Sequence, residues 1–285
     1  MCGYLSINNL YKQQTILMFK ECFSLEKIHG TSTHLSWNFK EKRLTFFSGG
    51  EEYEKFVAIF DKKLLLAKFI ELFPDCNITI YGEAYGGKLL HMSATYGNVV
   101  KFIAFDVNIN DIWLNVPNAE DVVKKMGLEF VDYSRVSTDI EALDAERDKD
   151  STQAIRNGMG AGKLREGVVL RPLVEFTLNN GDRVITKHKR DKFMETKTPR
   201  AVSPEKLKIL SDANEISDEW VTEMRLSHIL DKLPKNLSIA QMQLVIKSMI
   251  ADILKESKGE IVTSKEAIKA IGQKTAMLFK NRIKL

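Results

Sequence analysis

Glu26-Lys27-Ile28-His29-Gly30 reads as a lysine at the end of a strand, followed by a tight glycine turn. That placement projects an amine into a pocket while the glycine lets the backbone come close to a ligand. A lysine attacks as a nucleophile only when its amine is neutral, which requires burial or cationic neighbours. By itself the stretch fits a surface lysine before a turn better. Its meaning depends on the residues further along the chain.

Downstream, Tyr81-Gly82-Glu83-Ala84-Tyr85-Gly86-Gly87 sets a carboxylate among glycines after a strand. There Glu83 can accept a hydrogen bond from a ribose hydroxyl; the plainer reading is a β-turn with a solvated glutamate. Lys101–Val107 is a buried-looking strand in which Phe102 and Phe105 fall on opposite faces. One ring can pack in the core while the other offers its face to a base. Arg165-Glu166-Gly167-Val168-Val169-Leu170-Arg171-Pro172 opens an apolar strand with a carboxylate, and buried Glu166 would need a cation or a metal. In Val184-Ile185-Thr186-Lys187-His188-Lys189 the two lysines stand two apart, so on a strand both ammonium groups point the same way. Such a pair is unfavourable unless an anion sits between them, and a triphosphate would serve. The plain alternative is an edge strand whose lysines discourage aggregation.

Around these stretches the first two thirds of the chain alternate short strands with a few helices. Strands are expected at Arg43–Phe47, Asn77–Tyr81, Phe102–Val107, Gly167–Leu170 and Arg183–Lys187. Apolar spacing predicts a helix over Asp61–Phe73, stopped by Pro74, and a second from a cap at Asn118 to Met126, stopped by Gly127. The character changes over Lys192–Pro204, a polar stretch that ends in Ser203-Pro204, a helix start with proline in its first position. Beyond it nearly everything reads as helix. Ser217 is expected to cap one through Leu233, Ser238 another, and Thr263 with Glu266 forms a capping box for the last. The fold class is α+β: an α+β domain over 1–195, a linker near 195–203, and a small all-α domain over 204–285.

The chain has 285 residues, 44% hydrophobic and 28% charged, in the range of soluble globular proteins. Forty-two basic against 38 acidic residues give a net charge of +4, which suits a protein that meets phosphates without requiring one. Three scattered cysteines without CxxC spacing argue against a disulfide framework or a zinc site and fit a reducing compartment. No signal peptide or bilayer-length apolar run is read, so a cytoplasmic protein is expected.

Taken in order, KxHG, GE-xxG, an aromatic strand ending in Phe105-Asp106, EGVVLRP and KxK resemble the covalent nucleotidyltransferase superfamily of ligases and mRNA-capping enzymes. The His29 form of the first motif, with Asn180–Arg183, Lys189–Phe193 and the helical run Ala251–Ser257, is similar to the phage T4 RNA ligase 2-like family, which includes the RNA-editing ligases. That resemblance implies an adenylyltransferase domain of ATP-grasp-like antiparallel sheets followed by a helical domain. It implies that Lys27 attacks the α-phosphate of ATP, that AMP passes to a 5′-phosphate, and that a 3′-hydroxyl then displaces AMP to seal RNA held as a nicked duplex or on a template. Glu26, His29, Gly30, Glu83, Phe105, Glu166, Lys187 and Lys189 would form the nucleotide site. His29 would lie near the phosphates, Glu83 at the ribose and Phe105 on the adenine, with Lys187 and Lys189 on the α-phosphate. Glu166 would help place Mg2+ or Mn2+, ions that favour hard oxygen ligands. The same superfamily leaves open a DNA ligase or a GTP-using capping enzyme, and loss of catalysis would leave an RNA-binding module.

Two positions depart from the branch. Where it has an arginine after the strand that follows the lysine, this chain has Phe46-Phe47-Ser48-Gly49-Gly50, and Ser32 replaces the asparagine after KxHGT. Arg43 could stand in for the missing arginine only in a different strand register.

Overall fold

The computed structural model describes residues 3–178, 180–193, 202–234, 237–257 and 261–283. Most of the linker expected near 195–203 lies outside them. Nine strands are described: β1 (Glu21–Lys27), β2 (Thr31–Asn38), β3 (Arg43–Phe47), β4 (Ile78–Gly86), β5 (Val100–Ile109), β6 (Ile112–Trp113), β7 (Tyr133–Ser137), β8 (Gly167–Pro172) and β9 (Thr186–Lys189). They form two sheets, β7-β1-β8-β9 and β3-β2-β4-β5-β6, in which every paired strand runs antiparallel. The chain divides into one compact unit of residues 1–16 and 20–200 and a second of 17–19 and 201–285.

Ile28-His29-Gly30 is where the backbone leaves the first sheet at Lys27 and enters the second at Thr31. Gly30 is required there by space. A Cβ at this position would stand 2.2 Å from the Ala84 carbonyl oxygen on β4. The core of the first unit gathers Leu35, Trp37, Ile78, Ile80, Phe69 and Val107, all buried, and Trp37 Nε1 closes it by donating to the Phe73 carbonyl at 3.0 Å. The helix Lys62–Leu72 lies within the expected span, with Asp61 accepting from the backbone N–H of Lys63 and Leu64.

Several expected boundaries move. Asn115, not Asn118, caps the helix Val116–Lys125, accepting from Asn118 N at 3.0 Å, so Pro117 falls in the first turn where its missing N–H costs nothing. Strand β9 begins at Thr186, not Arg183, because Arg183 is drawn into a buried ion network around Asp106.

The second unit is helical. Ser203 caps Pro204–Trp220 as expected, accepting from Lys206 N. Ser217 does not begin a new helix. It is buried within that one and donates to the Asn214 carbonyl, while Thr222 caps Glu223–Asp231. Ile216 and Trp220 extend the apolar stripe past Ser217 and pack on the unit's core, which keeps the helix running. Ser238 forms a capping box with Gln241 ahead of Met242–Glu256. The last helix is capped by Ser264 rather than Thr263, because Glu266 turns instead to Lys206, 3.0 Å away. Among the described residues no helix is long and apolar enough to cross a membrane.

Candidate active site

The strand registers assemble the site. On the first sheet Lys27 stands opposite Gly167, and Gly167 opposite Lys189, so the ends of β1, β8 and β9 lie side by side. On the second sheet Ser32 stands opposite Glu83. Along β4 and β5 the pairs run Tyr81 with Asp106 and then Gly82 with Ala104, so Phe105 is the extra residue of a β-bulge. Bulges re-aim a side chain, and Phe105 turns towards the site while Phe102 packs in the core beside Phe56 and Phe60.

These residues surround a cavity of about 270 Å³ lined by Lys27, Ser32, Glu83, Phe105, Val169, Arg171 and Lys187, among others. Tyr4–Ile7 form part of its wall, so the N-terminal segment, which carries no motif, folds against the pocket. Backbone bonds from Leu10 N to Lys187 O and from Lys187 N to Asn8 O fasten that segment alongside β9.

Glu166 is the electrostatic centre. It is 3% exposed; its Oε2 lies 3.0 Å from Lys27 Nζ and 3.1 Å from His29 Nδ1, and its Oε1 lies 2.9 Å from Lys189 Nζ. Burial alone would push its carboxyl pKa up, but the His29 hydrogen bond and the charges of Lys27 and Lys189 win and carry it down to about 2. Gly167, with φ of +153°, lets β8 begin at this point, since a Cβ there would meet the His188 carbonyl oxygen at 2.2 Å. Lys187 reaches the cavity, whereas Lys189 is 8% exposed and spends its ammonium on Glu166. The two lysines therefore share a strand, one lining the cavity and the other paired with Glu166.

Glu83 behaves differently. Burial dominates its environment, with Glu166 adding to it and Lys27 and the Gly30 N–H opposing, and its pKa is pushed up to about 7. Two carboxyl groups of one site are thus held far apart in acidity by their neighbours, a pattern that marks functional sites. Glu26 lines the cavity, but its carboxylate accepts from Ser151 Oγ at 2.5 Å and Gln153 N at 3.2 Å. His29 is pinned by Glu166, by the Tyr96 hydroxyl and by the Phe193 ring, whose centroid lies 5.3 Å away.

Behind the cavity is a feature that the motifs do not announce. Asp106, 0% exposed, is held by Arg171 at 2.9 Å and Arg183 at 2.7 Å, with Glu175 bound to both arginines and Tyr4 Oη donating to Asp106 at 2.6 Å. The guanidinium of Arg183 also lies 4.0 Å above the Trp113 ring. The aspartate beside Phe105, the arginine of EGVVLRP and the arginine of NGDR form one structural network. Their charges signalled it in the sequence, but not that they would meet.

Arg43 stands opposite Asn38, at the far end of the β2–β3 pair from Thr31. Four residues separate it from Phe47, about 13 Å along a strand, so this register does not bring it to the site. The Ser48–Gly50 turn instead packs on Thr31, whose Oγ1 accepts from Gly50 N. Among the described residues no three metal-ligating side chains form a cage. Ionised Glu166, with Glu83 in the same site, fits an ion such as Mg2+ that is held by one or two carboxylates plus water and phosphate oxygens.

The family model described as RNA ligase matches residues 20–189, more than half of the chain. The chain belongs to the RNA ligase family. No curated protein matches it in sequence. Among solved structures, this RNA ligase-family chain is similar to a Naegleria gruberi RNA ligase with pyrophosphate, at 15% identity and a TM-score of 0.51, covering 68% of this chain and 57% of that one. It is similar also to mutants of the Naegleria enzyme with ATP and Mn (13% identity, TM-score 0.51) and with AMP and Mn (14%, 0.51), each match covering 67% of this chain and 56% of the other. The chain thus spans somewhat more than half the length of the solved enzymes it matches. At these identities the likeness shows the fold, a nucleotidyltransferase-type pair of antiparallel sheets.

Proposed function

We propose that this member of the RNA ligase family is an ATP-dependent enzyme that joins 3′-hydroxyl and 5′-phosphate RNA ends, sealing nicks in duplex RNA through lysyl-AMP on Lys27. The observation that carries the reading is the convergence of Lys27, His29 and Lys189 on Glu166, with Lys27 also lining a cavity together with Glu83, Phe105 and Lys187. Similar solved enzymes with ATP, AMP and manganese support the choice of nucleotide and of Mg2+ or Mn2+.

In this reading the adenine enters against the face of Phe105 and the ribose hydroxyls meet Glu83. The Lys27 ammonium releases a proton to solvent and its neutral amine attacks the α-phosphorus, the nitrogen losing a second proton to solvent as the phosphoramidate forms. A phosphorus–nitrogen bond forms as the bond to pyrophosphate breaks, and Lys187 offsets the negative charge that builds on the oxygens. A 5′-phosphate oxygen next displaces Lys27 to give a 5′-5′ adenylylated end, and a 3′-hydroxyl then displaces AMP. Glu166 would hold the divalent ion, which when bound would supply charge neutralisation at the phosphates. Glu26 serves by fixing the end of β1, its carboxylate being tied to Ser151 and Gln153. Because Ser48 replaces the branch's arginine and Arg43 lies at the wrong end of its strand, the 5′-phosphate must be received by other cations.

Incubation with α-labelled ATP and Mg2+ or Mn2+ labels the wild type, and Lys27→Ala takes no label. Label that persists in Lys27→Ala would remove the nucleophile assignment. A chase with nicked RNA and nicked DNA separates an RNA from a DNA ligase, since only RNA offers the 2′-hydroxyl, and substituting GTP tests the capping alternative.

A further inference from the structure

The residues on either side of Lys27 are held by one buried polar cluster drawn from three separate parts of the chain. On one side, Glu26 accepts from Ser151 Oγ at 2.5 Å and from Gln153 N at 3.2 Å. On the other, the backbone N–H of His29 donates to Tyr96 Oη at 3.3 Å. The two holds are joined internally: Gln153 Nε2 donates to Tyr85 Oη at 2.8 Å, and the Tyr85 ring packs edge-on against Tyr96 with centroids 5.2 Å apart. Tyr96 is 1% exposed, and Ser151, Gln153 and Tyr85 are equally buried. Asn157 Nδ2 anchors Tyr96 itself by donating to its carbonyl at 3.0 Å.

We propose that Tyr96 and Ser151 are positioning residues for catalysis, fixing the backbone from Glu26 to His29 so that Lys27 Nζ and His29 Nδ1 converge on a single oxygen of Glu166. The need arises from geometry. Lys27 ends a strand and His29 sits in the connection between two sheets, where ladder hydrogen bonds no longer hold the chain. A lysine side chain is long and flexible, so the reach of its amine is set by where its backbone is clamped. A displacement of about 1 Å in a reacting group costs on the order of 10²-fold in rate. The Tyr96 hydroxyl supplies an acceptor to a connection N–H that turns inward, and the buried Glu26 carboxylate, with its pKa pushed up by burial, is matched by the donors of Ser151 and Gln153.

This inference rests on the reading of Lys27 as the nucleophile, and its test separates the two. Tyr96→Phe keeps the ring against Tyr85 and removes only the hydroxyl. Single-turnover formation of lysyl-AMP at saturating ATP is expected to fall about three- to tenfold in this variant, the size of one lost neutral hydrogen bond. The ATP concentration for half-maximal rate should stay within about twofold, because no group in the cavity has changed. Ser151→Ala should behave similarly and Ser151→Thr, which keeps the hydroxyl, should recover most of the rate. Hydrogen exchange adds a readout free of chemistry: the His29 amide should exchange about tenfold faster in Tyr96→Phe, while amides of Ile78–Gly86 do not change. Unaltered His29 exchange, or a rate loss that appears wholly in the ATP requirement, overturns the proposal. So does an equal loss in Ser151→Thr and Ser151→Ala. A wild type that takes no label from ATP overturns the ligase reading instead, and is recognised because His29 exchange would still respond to Tyr96→Phe.

Discussion

Replacing Glu166 by glutamine keeps the shape of the side chain and removes the charge on which Lys27, His29 and Lys189 converge. The wild-type carboxyl descends from 4.5 to about 2 on folding, which at about 1.4 kcal/mol per pH unit corresponds to about 3 kcal/mol of native-state stabilisation. This agrees with the range of about 3–5 kcal/mol for breaking a buried ion pair. At about 2–4 °C per kcal/mol for a chain of this size, Glu166→Gln should melt about 6–12 °C below wild type at pH 7.5. The pH dependence has a definite sign. A carboxylate depressed in the folded state stabilises fully above its unfolded value of about 4.5, and that contribution fades as pH falls towards 2. By pH 3 about 1.4 kcal/mol should remain, so the melting gap should narrow by roughly half. Calorimetry or circular dichroism melts of both proteins at pH 7.5, 4.5 and 3 measure it. Equal melting points at pH 7.5, or a gap as wide at pH 3 as at pH 7.5, would show that Lys27, His29 and Lys189 do not depend on this carboxylate.

Asp106→Ala leaves Arg171 and Arg183 buried with Glu175 as their remaining shared anion among the described residues, and removing the second carboxylate should cost about 3–5 kcal/mol; an unmoved urea midpoint would contradict the network. Glu83, with a pKa of about 7, gains a proton as pH falls through 7, so Glu83→Gln should approach wild-type adenylylation near pH 6 and lag by about tenfold near pH 8. Parallel pH–rate profiles for the two would exclude ionised Glu83 from the step. Its folded value lies above the unfolded one, so its ionisation costs stability as pH rises from about 4.5 to 7, and Glu83→Gln should melt above wild type at pH 8. Deleting residues 201–285 should spare lysyl-AMP formation, whose residues all belong to the first unit, and abolish nick sealing. Nick sealing that survives the deletion would leave the helical unit a structural role alone.

The legibility of each part depends on the range of the force behind it. Local signals held where the chemistry is local: Ser203 caps the helix expected to start there, and the helix predicted over Asp61–Phe73 begins just after Asp61, which caps it, because a cap is a bond between residues two or three apart. They slipped where two neighbours compete for the same role, as Asn115 against Asn118 and Ser264 against Thr263, or where burial kept a helix running past Ser217. The order of KxHG, the Glu83 and Glu166 stretches and KxK pointed to one pocket through the resemblance it carries, since each stretch alone also fits a plain structural reading.

The amino-acid order by itself determined the set of candidate site residues, the α+β character of the first part and the helical character of the last, all of which arise from residue chemistry, motif order and short-range periodicity. The tertiary structure alone decided that Lys27 spans the step between two sheets, that Lys189 answers Glu166 while Lys187 faces the cavity, and that a bulge aims Phe105. It also drew Tyr4, Asp106, Arg171 and Arg183 together across 179 residues of chain. Those outcomes depend on strand register and on the desolvation of paired charges, and neither exists until distant segments are packed against one another.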